Sequence, residues 1–193
     1  MMLTVYIDFK SAQSYLALKP TIALAEKRSL KVVWRAFRAI EREVPDLQQK
    51  GEVAIAHYRA RRRSQRALAE MYAEHQGIKL EFPQVEGSSD LALSALNVIE
   101  TDPLPFINAG FCAYWDKHEN LDDHETVVRL LDQTKSIVST DLETARSMLE
   151  SSQLHAESLG VVGAPTYTIG TEVFLGREHL PLIEERLKLL RSA

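Results

Sequence analysis

Cysteine is almost absent from this sequence: Cys112 is the only one among 193 residues. A single cysteine cannot form an intramolecular disulfide, so dithiol redox chemistry within the chain is excluded. Cys112 stands in the apolar stretch 110–115, where a free cysteine acts as a small hydrophobic residue. We therefore expect its side chain to be buried in a structural role.

Long apolar runs and an excess of positive charge are missing as well. No segment approaches the ~18–20 apolar residues of a membrane helix. The N-terminal stretch, which carries Asp8 and Lys10, lacks the apolar run of a signal peptide. The net charge of −4 argues against a nucleic-acid partner. We therefore predict a cytoplasmic protein that binds neither membrane nor nucleic acid.

The usual sequence signatures of metal and nucleotide sites are absent too. No pair among the six histidines has metal-ligand spacing with carboxylate support, so no metal is predicted. There is no phosphate loop and no dinucleotide fingerprint.

What the sequence does contain is a change of apolar period along the chain. Strands are predicted at 3–8 and 30–37 around a helix at 15–28, and strands at 166–169 and 172–175 precede an amphipathic helix. The stretch between is helical in pattern, with helices at 52–76, 91–99 and 106–117 and two more that begin after Asp123 and Asp141. This order, βαβ then helices then ββα, predicts an α/β fold. Its ends share one sheet, and residues 39–159 form an all-helical insertion. A separate terminal hairpin is disfavoured because it could not bury enough surface alone.

The loop at residues 9–15 joins the first strand to a helix and contains Ser11 and Ser14. Free backbone N–H groups and the helix dipole favour an anion there, including a thiolate. A hydroxyl at Ser11 can donate a hydrogen bond to a bound sulfur. Either serine can equally be a simple helix cap, and for Ser14 that interpretation is preferred.

A second candidate position is the stretch Gly163-Ala164-Pro165-Thr166, directly before a strand. Pro165 lacks a backbone donor and restricts Ala164 to an extended conformation. If the Ala164–Pro165 bond is cis, the backbone groups of Ala164 face outward and can pair with an extended ligand. The sequence alone leaves a trans proline at a strand edge as the simpler alternative.

Four stretches of the chain together resemble a known family: DFKSAQSYLA, AYWDKHENLDD, GVVGAPTYTIG and EVFLGREHLPLIEERL. They are similar to the 2-hydroxychromene-2-carboxylate isomerases, members of the DsbA-like thioredoxin superfamily and close kin of kappa-class glutathione transferases. The resemblance implies a thioredoxin-like fold (βαβ…ββα) with a large helical insertion. Residues 1–38 and 160–193 would form the thioredoxin-like domain, and residues 39–159 the insertion.

The resemblance also implies a glutathione site. Pro165 would be a cis-proline, and Ala164 would pair with the backbone of glutathione's cysteine. Ser11 matches the serine that faces the glutathione sulfur, which makes it the catalytic residue. Arg177 and Glu178 fall where the family binds the γ-glutamyl end, although as charged residues they can also be plain surface groups.

The implied activity is a glutathione-dependent isomerisation in aromatic compound catabolism. A small aromatic substrate would lie against Phe9, Tyr15 and Trp115, although large aromatics are more often core. The proline usual after the active serine is missing, as is an asparagine near the substrate, and 59–66 carries five arginines that can attract an anion. The alternatives are a glutathione transferase-like enzyme and a non-catalytic thioredoxin-fold module for a peptide or thiol. Relatives are commonly dimers, which makes a homodimer a candidate assembly.

Overall fold

The fold is described from a computed structural model that covers residues 2–39, 51–85 and 87–192. The strands are β1 (Met2–Ile7), β2 (Lys31–Ala36), β3 (Thr166–Ile169) and β4 (Glu172–Leu175). The helices are α1 (Ala12–Arg28), α2 (Glu52–Gln76), α3 (Asp90–Val98), α4 (Leu104–Trp115), α5 (His124–Thr134), α6 (Leu142–Ser158) and α7 (Leu180–Ser192). A short 3₁₀ turn, Arg177–His179, precedes α7.

The four strands form one sheet in the order β2-β1-β3-β4. β1 runs parallel to β2, whereas β3 is antiparallel to both β1 and β4. The central strand β1 is apolar and buries Leu3, Val5 and Ile7 completely. Because β3 pairs with β1, the two ends of the chain share a sheet, and the alternative of a separate terminal hairpin is wrong.

The first helix begins earlier than its apolar pattern predicts. Ser11, not Ser14, is its N-cap, with an extended backbone (φ −85°, ψ 109°) and a side-chain oxygen that accepts the Ser14 N–H. The helix then runs on through Pro20. Ala12 is small and Gln13 is polar, so the pronounced apolar pattern of the sequence begins only at Tyr15.

Helix ends elsewhere follow the predicted capping residues. α2 spans the predicted residues and ends at Gly77, which has the left-handed φ of +63° that glycine adopts without strain. Asp123 and Asp141 cap α5 and α6 by accepting the backbone N–H of Thr126 and Thr144. These hydrogen bonds hold the pKa of both carboxyls below the usual value.

Helix α4 shows where apolar sequence fails as a guide to burial. Its neighbours Phe111 and Ala113 are buried, but Cys112 is exposed, so the expectation of a buried Cys112 is wrong. α4 is apolar on most of its circumference, and its outward side therefore looks like its inward side in the sequence. The Cys112 Sγ lies 3.6 Å from the Tyr15 hydroxyl.

No helix in the described part of the chain is both long and apolar enough to cross a membrane.

Candidate active site

The site is built on the N-terminus of α1, at the carboxyl end of β1. The Ser11 N–H donates to the Asp8 carbonyl at 3.0 Å, and the Ser11 Oγ accepts the Ser14 N–H at 3.1 Å. Ser14 is fully buried, and its own Oγ accepts the Asp8 N–H at 3.4 Å. Ser14 therefore stabilises the loop from inside, while the half-buried Ser11 is the serine that faces the site.

The loop that precedes β3 packs against this helix end. The Ser11 Oγ donates a hydrogen bond to the Ala164 carbonyl at 3.0 Å, across 153 residues of sequence. The Ala164–Pro165 peptide bond is cis, the geometry that the family resemblance implies. The Pro165 carbonyl in turn accepts the Gly176 N–H at 2.8 Å. The two candidate positions of the sequence thus lie in direct contact.

The turn after β4 contributes Arg177 and Glu178. The Arg177 Nε donates to the Gln13 Oε1 at 3.0 Å, and its guanidinium carbon lies 3.6 Å from the centre of the Tyr72 ring. Glu178 is exposed, and its carboxylate folds back over Gly176. Gly176 has a φ of +100°, a backbone conformation that L side chains rarely adopt, so glycine is favoured at this position.

These groups line one open cleft. Ser11, Ala164, Pro165, Arg177 and Glu178 all contribute to its surface. The opposite wall is α2, which presents four exposed, positively charged side chains: Arg61, Arg62, Arg63 and Arg66. Two of these arginines lie over aromatic rings, Arg66 over Phe82 at 4.5 Å and Arg62 over Tyr58 at 5.9 Å. The cleft therefore has the Ser11 hydroxyl and the Ala164 carbonyl on one side and the arginines of α2 on the other.

Of the three aromatic residues predicted to line the substrate pocket, only Trp115 lines the cleft. Its indole N–H donates to the Phe9 carbonyl at 2.9 Å, and its ring packs edge-on against Phe82. The Phe9 ring is fully buried against Phe106 and Phe111, so its assignment to the pocket wall is wrong.

Tyr15 also lies outside the cleft. Its ring stacks on Phe111 at 4.9 Å, and burial raises the pKa of its hydroxyl. Tyr15 and Phe9 are core residues, the alternative that the sequence had left open.

The sequence did not single out Asp8, although this carboxylate organises the site. It is fully buried and accepts the Lys10 N–H (3.0 Å), the Ala39 N–H (2.9 Å) and the Ser89 hydroxyl (2.9 Å). Burial raises its pKa above the usual value, against the opposing effect of these hydrogen bonds. A charged residue directly after a largely apolar strand is the signal that could have identified it. The described residues contain no group of three metal-ligating side chains.

Comparisons with known proteins identify the architecture. The model of the DsbA-like thioredoxin domain family matches residues 2–188. A comparison with curated protein sequences finds no match. Among solved structures, a 2-hydroxychromene-2-carboxylate isomerase is 20% identical with a TM-score of 0.69, over 98% of this chain and 96% of that one.

Two further solved structures are similar at lower identity. A probable DsbA oxidoreductase from Streptomyces coelicolor is 15% identical (TM-score 0.69; 100% and 90% of the two chains). The cytosolic disulfide reductase DsbM from Pseudomonas aeruginosa, solved with GSH, is 12% identical (TM-score 0.58; 100% and 98%). At these identities the likeness establishes the fold alone, and it confirms the predicted thioredoxin-like α/β fold with a helical insertion.

Proposed function

Because the chain belongs to the DsbA-like thioredoxin domain family and holds Ser11 at its α1 N-terminus, we propose that it is a glutathione-dependent isomerase of an aromatic compound. Its reaction would be of the 2-hydroxychromene-2-carboxylate isomerase type, in aromatic compound catabolism. The observation that carries the proposal is the 3.0 Å hydrogen bond from the Ser11 hydroxyl to the Ala164 carbonyl. This bond brings a hydroxyl, a helix N-terminus and the backbone before β3 together at one point of the cleft. The thiol of a bound ligand can take the place there of a reactive cysteine, which the chain lacks at this position.

The cysteine backbone, the sulfur, the ammonium group and one carboxylate of glutathione each have a complementary group in the cleft. The backbone of Ala164 would pair with the cysteine residue of glutathione, as one short added strand. The Arg177 guanidinium suits a carboxylate of the ligand, and the exposed Glu178 carboxylate suits its ammonium group. The sulfur would then lie at the first N–H groups of α1, where the helix dipole favours the thiolate.

The hydrogen bonds of Ser11 suggest how thiol activation is coupled to ligand binding. In the structure, the Ser11 hydroxyl proton is directed to the Ala164 carbonyl, while its oxygen accepts the Ser14 N–H. When the amide N–H of the bound cysteine pairs with the Ala164 carbonyl, the Ser11 hydroxyl is released. It can then rotate and donate to the sulfur, which lowers the thiol pKa.

The reaction needs no redox partner. The thiolate adds to a conjugated carbon of the aromatic substrate, which forms a C–S bond and places the electron pair on an enolate oxygen. The former double bond is then single and rotates. Return of the electron pair re-forms the double bond in its new geometry and expels the thiolate, so glutathione is regenerated. Trp115 and the arginines of α2 would hold the aromatic ring and its negative charge.

Calorimetric titration with glutathione tests the proposal directly. We expect heat of binding and an increase in thermal stability at millimolar glutathione, since a ligand that binds only the folded state must stabilise it. The ultraviolet absorbance of the thiolate, followed against pH, gives the pKa of the bound thiol. The absence of both heat and stabilisation would refute the proposed function.

Ser11→Ala isolates the hydroxyl. Loss of one charge-assisted hydrogen bond should raise the pKa of the bound thiol by about 1 unit, with the helix N-terminus still present. Ser64→Ala, at an exposed position of α2, is the matched control and should leave this pKa unchanged. An unchanged pKa in Ser11→Ala would remove Ser11 from the proposed role.

Glutathione methylated at the cysteine amide nitrogen tests the coupling step. The methylated ligand cannot donate to the Ala164 carbonyl, so the Ser11 hydroxyl keeps its hydrogen bond to that carbonyl. The thiol of the bound methylated ligand should therefore have a higher pKa than the thiol of bound glutathione. Substitution of Ser11 by alanine should then have little further effect on the methylated ligand. Equal thiol pKa values for the two ligands would contradict the coupling.

Turnover separates the alternatives. An isomerase leaves the glutathione concentration unchanged as substrate disappears, whereas a transferase consumes one glutathione for each conjugate formed. A non-catalytic binding module would bind glutathione or an extended peptide with no turnover of either kind.

A further inference from the structure

Arg177 is held in the cleft by two uncharged groups rather than by a carboxylate. Its Nε donates to the amide oxygen of Gln13, and its planar face stacks on Tyr72 with the guanidinium carbon 3.6 Å from the ring centre. These contacts come from two separate helices, α1 and α2. Within residues 2–39, 51–85 and 87–192, Arg177 has no carboxylate within ion-pair distance.

Other half-buried arginines of the protein are built differently. The Arg186 Nε donates to both carboxylate oxygens of Glu172, at 2.7 and 2.8 Å. Arg38 likewise binds Asp90 through its Nε at 3.0 Å and a terminal nitrogen at 2.9 Å. In these pairs a carboxylate of the protein already satisfies the guanidinium. Arg177 is likewise held by two contacts, yet its charge is not balanced by a carboxylate in this way.

The remaining donors of Arg177 match a carboxylate. Gln13 occupies the Nε and Tyr72 covers one face, which leaves the two terminal nitrogens without a hydrogen-bond partner among the described residues. Two parallel N–H groups of this kind bind a carboxylate in bidentate geometry. Because both anchors hold the guanidinium before a ligand arrives, little side-chain entropy is lost on binding.

We propose that Gln13 and Tyr72 are positioning residues that orient Arg177 as a preformed binding fork for a carboxylate of the thiol ligand. This inference rests on the proposed function, because the fork and Ser11 line the same cleft and Gln13 lies two residues after Ser11. The fork depends on the neutral amide of Gln13, because a carboxylate at this position would form an ion pair with the Arg177 guanidinium and compete with the carboxylate of the ligand.

Gln13→Glu tests this point with a nearly isosteric change. We expect the new carboxylate to pair with Arg177 and to raise the Kd for glutathione about 10-fold, through loss of a charge-assisted bidentate contact. The free energy of unfolding should not fall, since an ion pair replaces a hydrogen bond. Gln84→Glu makes the same charge change at an exposed position outside this cleft and should leave the Kd unchanged.

Truncated thiols show whether the effect acts through a ligand carboxylate. Calorimetry would compare glutathione, γ-glutamylcysteine and cysteinylglycine on wild type and Gln13→Glu. A loss confined to the ligands that share one terminal carboxylate supports the fork and identifies that carboxylate. An equal loss for all three thiols, or no loss for any, overturns it.

Tyr72 provides a second, independent variant. Tyr72→Leu removes the stacking surface and should raise the Kd for glutathione several-fold, whereas Tyr72→Phe keeps the ring and should restore most of the affinity. Equal Kd values for the leucine and phenylalanine variants would refute a stacking role.

A probe without a thiol separates failure of the fork from failure of the proposed function. Titration with glutarate, followed by NMR of the Arg177 side-chain nitrogens, should shift their signals in wild type and not in Gln13→Glu. If glutathione fails to bind but these signals respond, the proposed function is wrong and the fork stands. If glutarate leaves them unchanged in wild type, the fork is wrong.

Discussion

The two helices that border the cleft are built in opposite ways. α1 buries eight of its 17 residues, and hydrogen bonds tie its N-terminus to Asp8 and Ala164. α2 buries two of its 25 residues, Ala69 and Ala73, and presents most of its arginines to solvent. One wall of the cleft is thus part of the core, and the other is attached to it by a narrow contact.

This difference corresponds to the two tasks of the proposed enzyme, activation of the thiol and binding of the substrate. Ser11, Ala164 and Arg177, which would bind and activate the thiol, are held by partly buried hydrogen bonds within the fold, where an error in position costs activity. The groups that would face the substrate lie on an exposed helix, where side chains can change at little cost in stability. The thiol site is therefore expected to be constant and the substrate wall variable.

The largest effect should follow from removal of the carboxylate that ties the rigid wall together. Asp8→Ala leaves three donors without an acceptor: the buried Ser89 hydroxyl and the partly buried N–H groups of Lys10 and Ala39. At about 1–3 kcal/mol for the buried hydroxyl and less for each partly buried N–H group, the free energy of unfolding should fall by about 3 kcal/mol. Urea denaturation measures it, with Asp132→Ala at an exposed position as the control.

The same carboxylate predicts a pH dependence of known sign. Burial raises the pKa of Asp8 in the folded protein, so the folded state holds this proton more tightly than the unfolded state does. Its contribution to stability is therefore complete below the ordinary pKa of about 3.9 and is lost as the pH rises through the folded pKa. The difference in unfolding free energy between wild type and Asp8→Ala should shrink over that range. A difference that grows with pH would contradict the raised pKa.

A smaller effect is expected where α2 is attached. Ala69 and Ala73 pack against Leu16 of α1, and Ala73 is only 3% exposed, so a larger side chain there would have to displace its neighbours. Ala73→Leu should lower the free energy of unfolding by about 1–3 kcal/mol through overpacking. Met71→Leu, on the exposed side of the same helix, should change it by less than about 0.5 kcal/mol. Equal values for the two variants would show that α2 is not anchored through Ala73.

The smallest effect on stability should come from the arginine wall. Arg63→Gln should leave the free energy of unfolding within about 0.5 kcal/mol of wild type. It should nevertheless weaken the binding of salicylate, an anionic aromatic probe, by about 2-fold at low salt, with the difference lost at high salt. Fluorescence titration measures this Kd, and Arg35→Gln, on the exposed face of β2, is the control. If Arg35→Gln weakens binding equally, net charge rather than the cleft wall attracts the probe.

Local signals in the sequence were sufficient for much of the fold. Alternation and capping residues predicted β3, β4 and α2 with their observed bounds, since each is bounded by glycine, proline or a cap. Ser11 and Ala164 were assigned to one site through the family resemblance rather than through any local pattern. Their contact is long-range, and no periodicity in a single sequence could have indicated it.

Other features depend on packing that local sequence does not encode. Phe9 follows a strand and borders Ser11, yet its ring turns into the core because Gly110 of α4 leaves room for it: a Cβ there would lie 2.6 Å from the ring. Cys112 is exposed on a helix that is apolar almost all round. Gln13 has a role only because Arg177, 164 residues later, reaches it. Each outcome is decided by a partner that is distant in the chain.

The 153-residue separation of Ser11 and Ala164 has a consequence for synthesis of the protein. During translation, Ser11 leaves the ribosome long before the Ala164 carbonyl that accepts its hydrogen bond. No ligand can occupy the complete site until the last strands have joined the sheet. Only a chain that has been synthesised to its last strands and has folded can therefore bind the ligand. A chain truncated before β3 would gain no stability from glutathione.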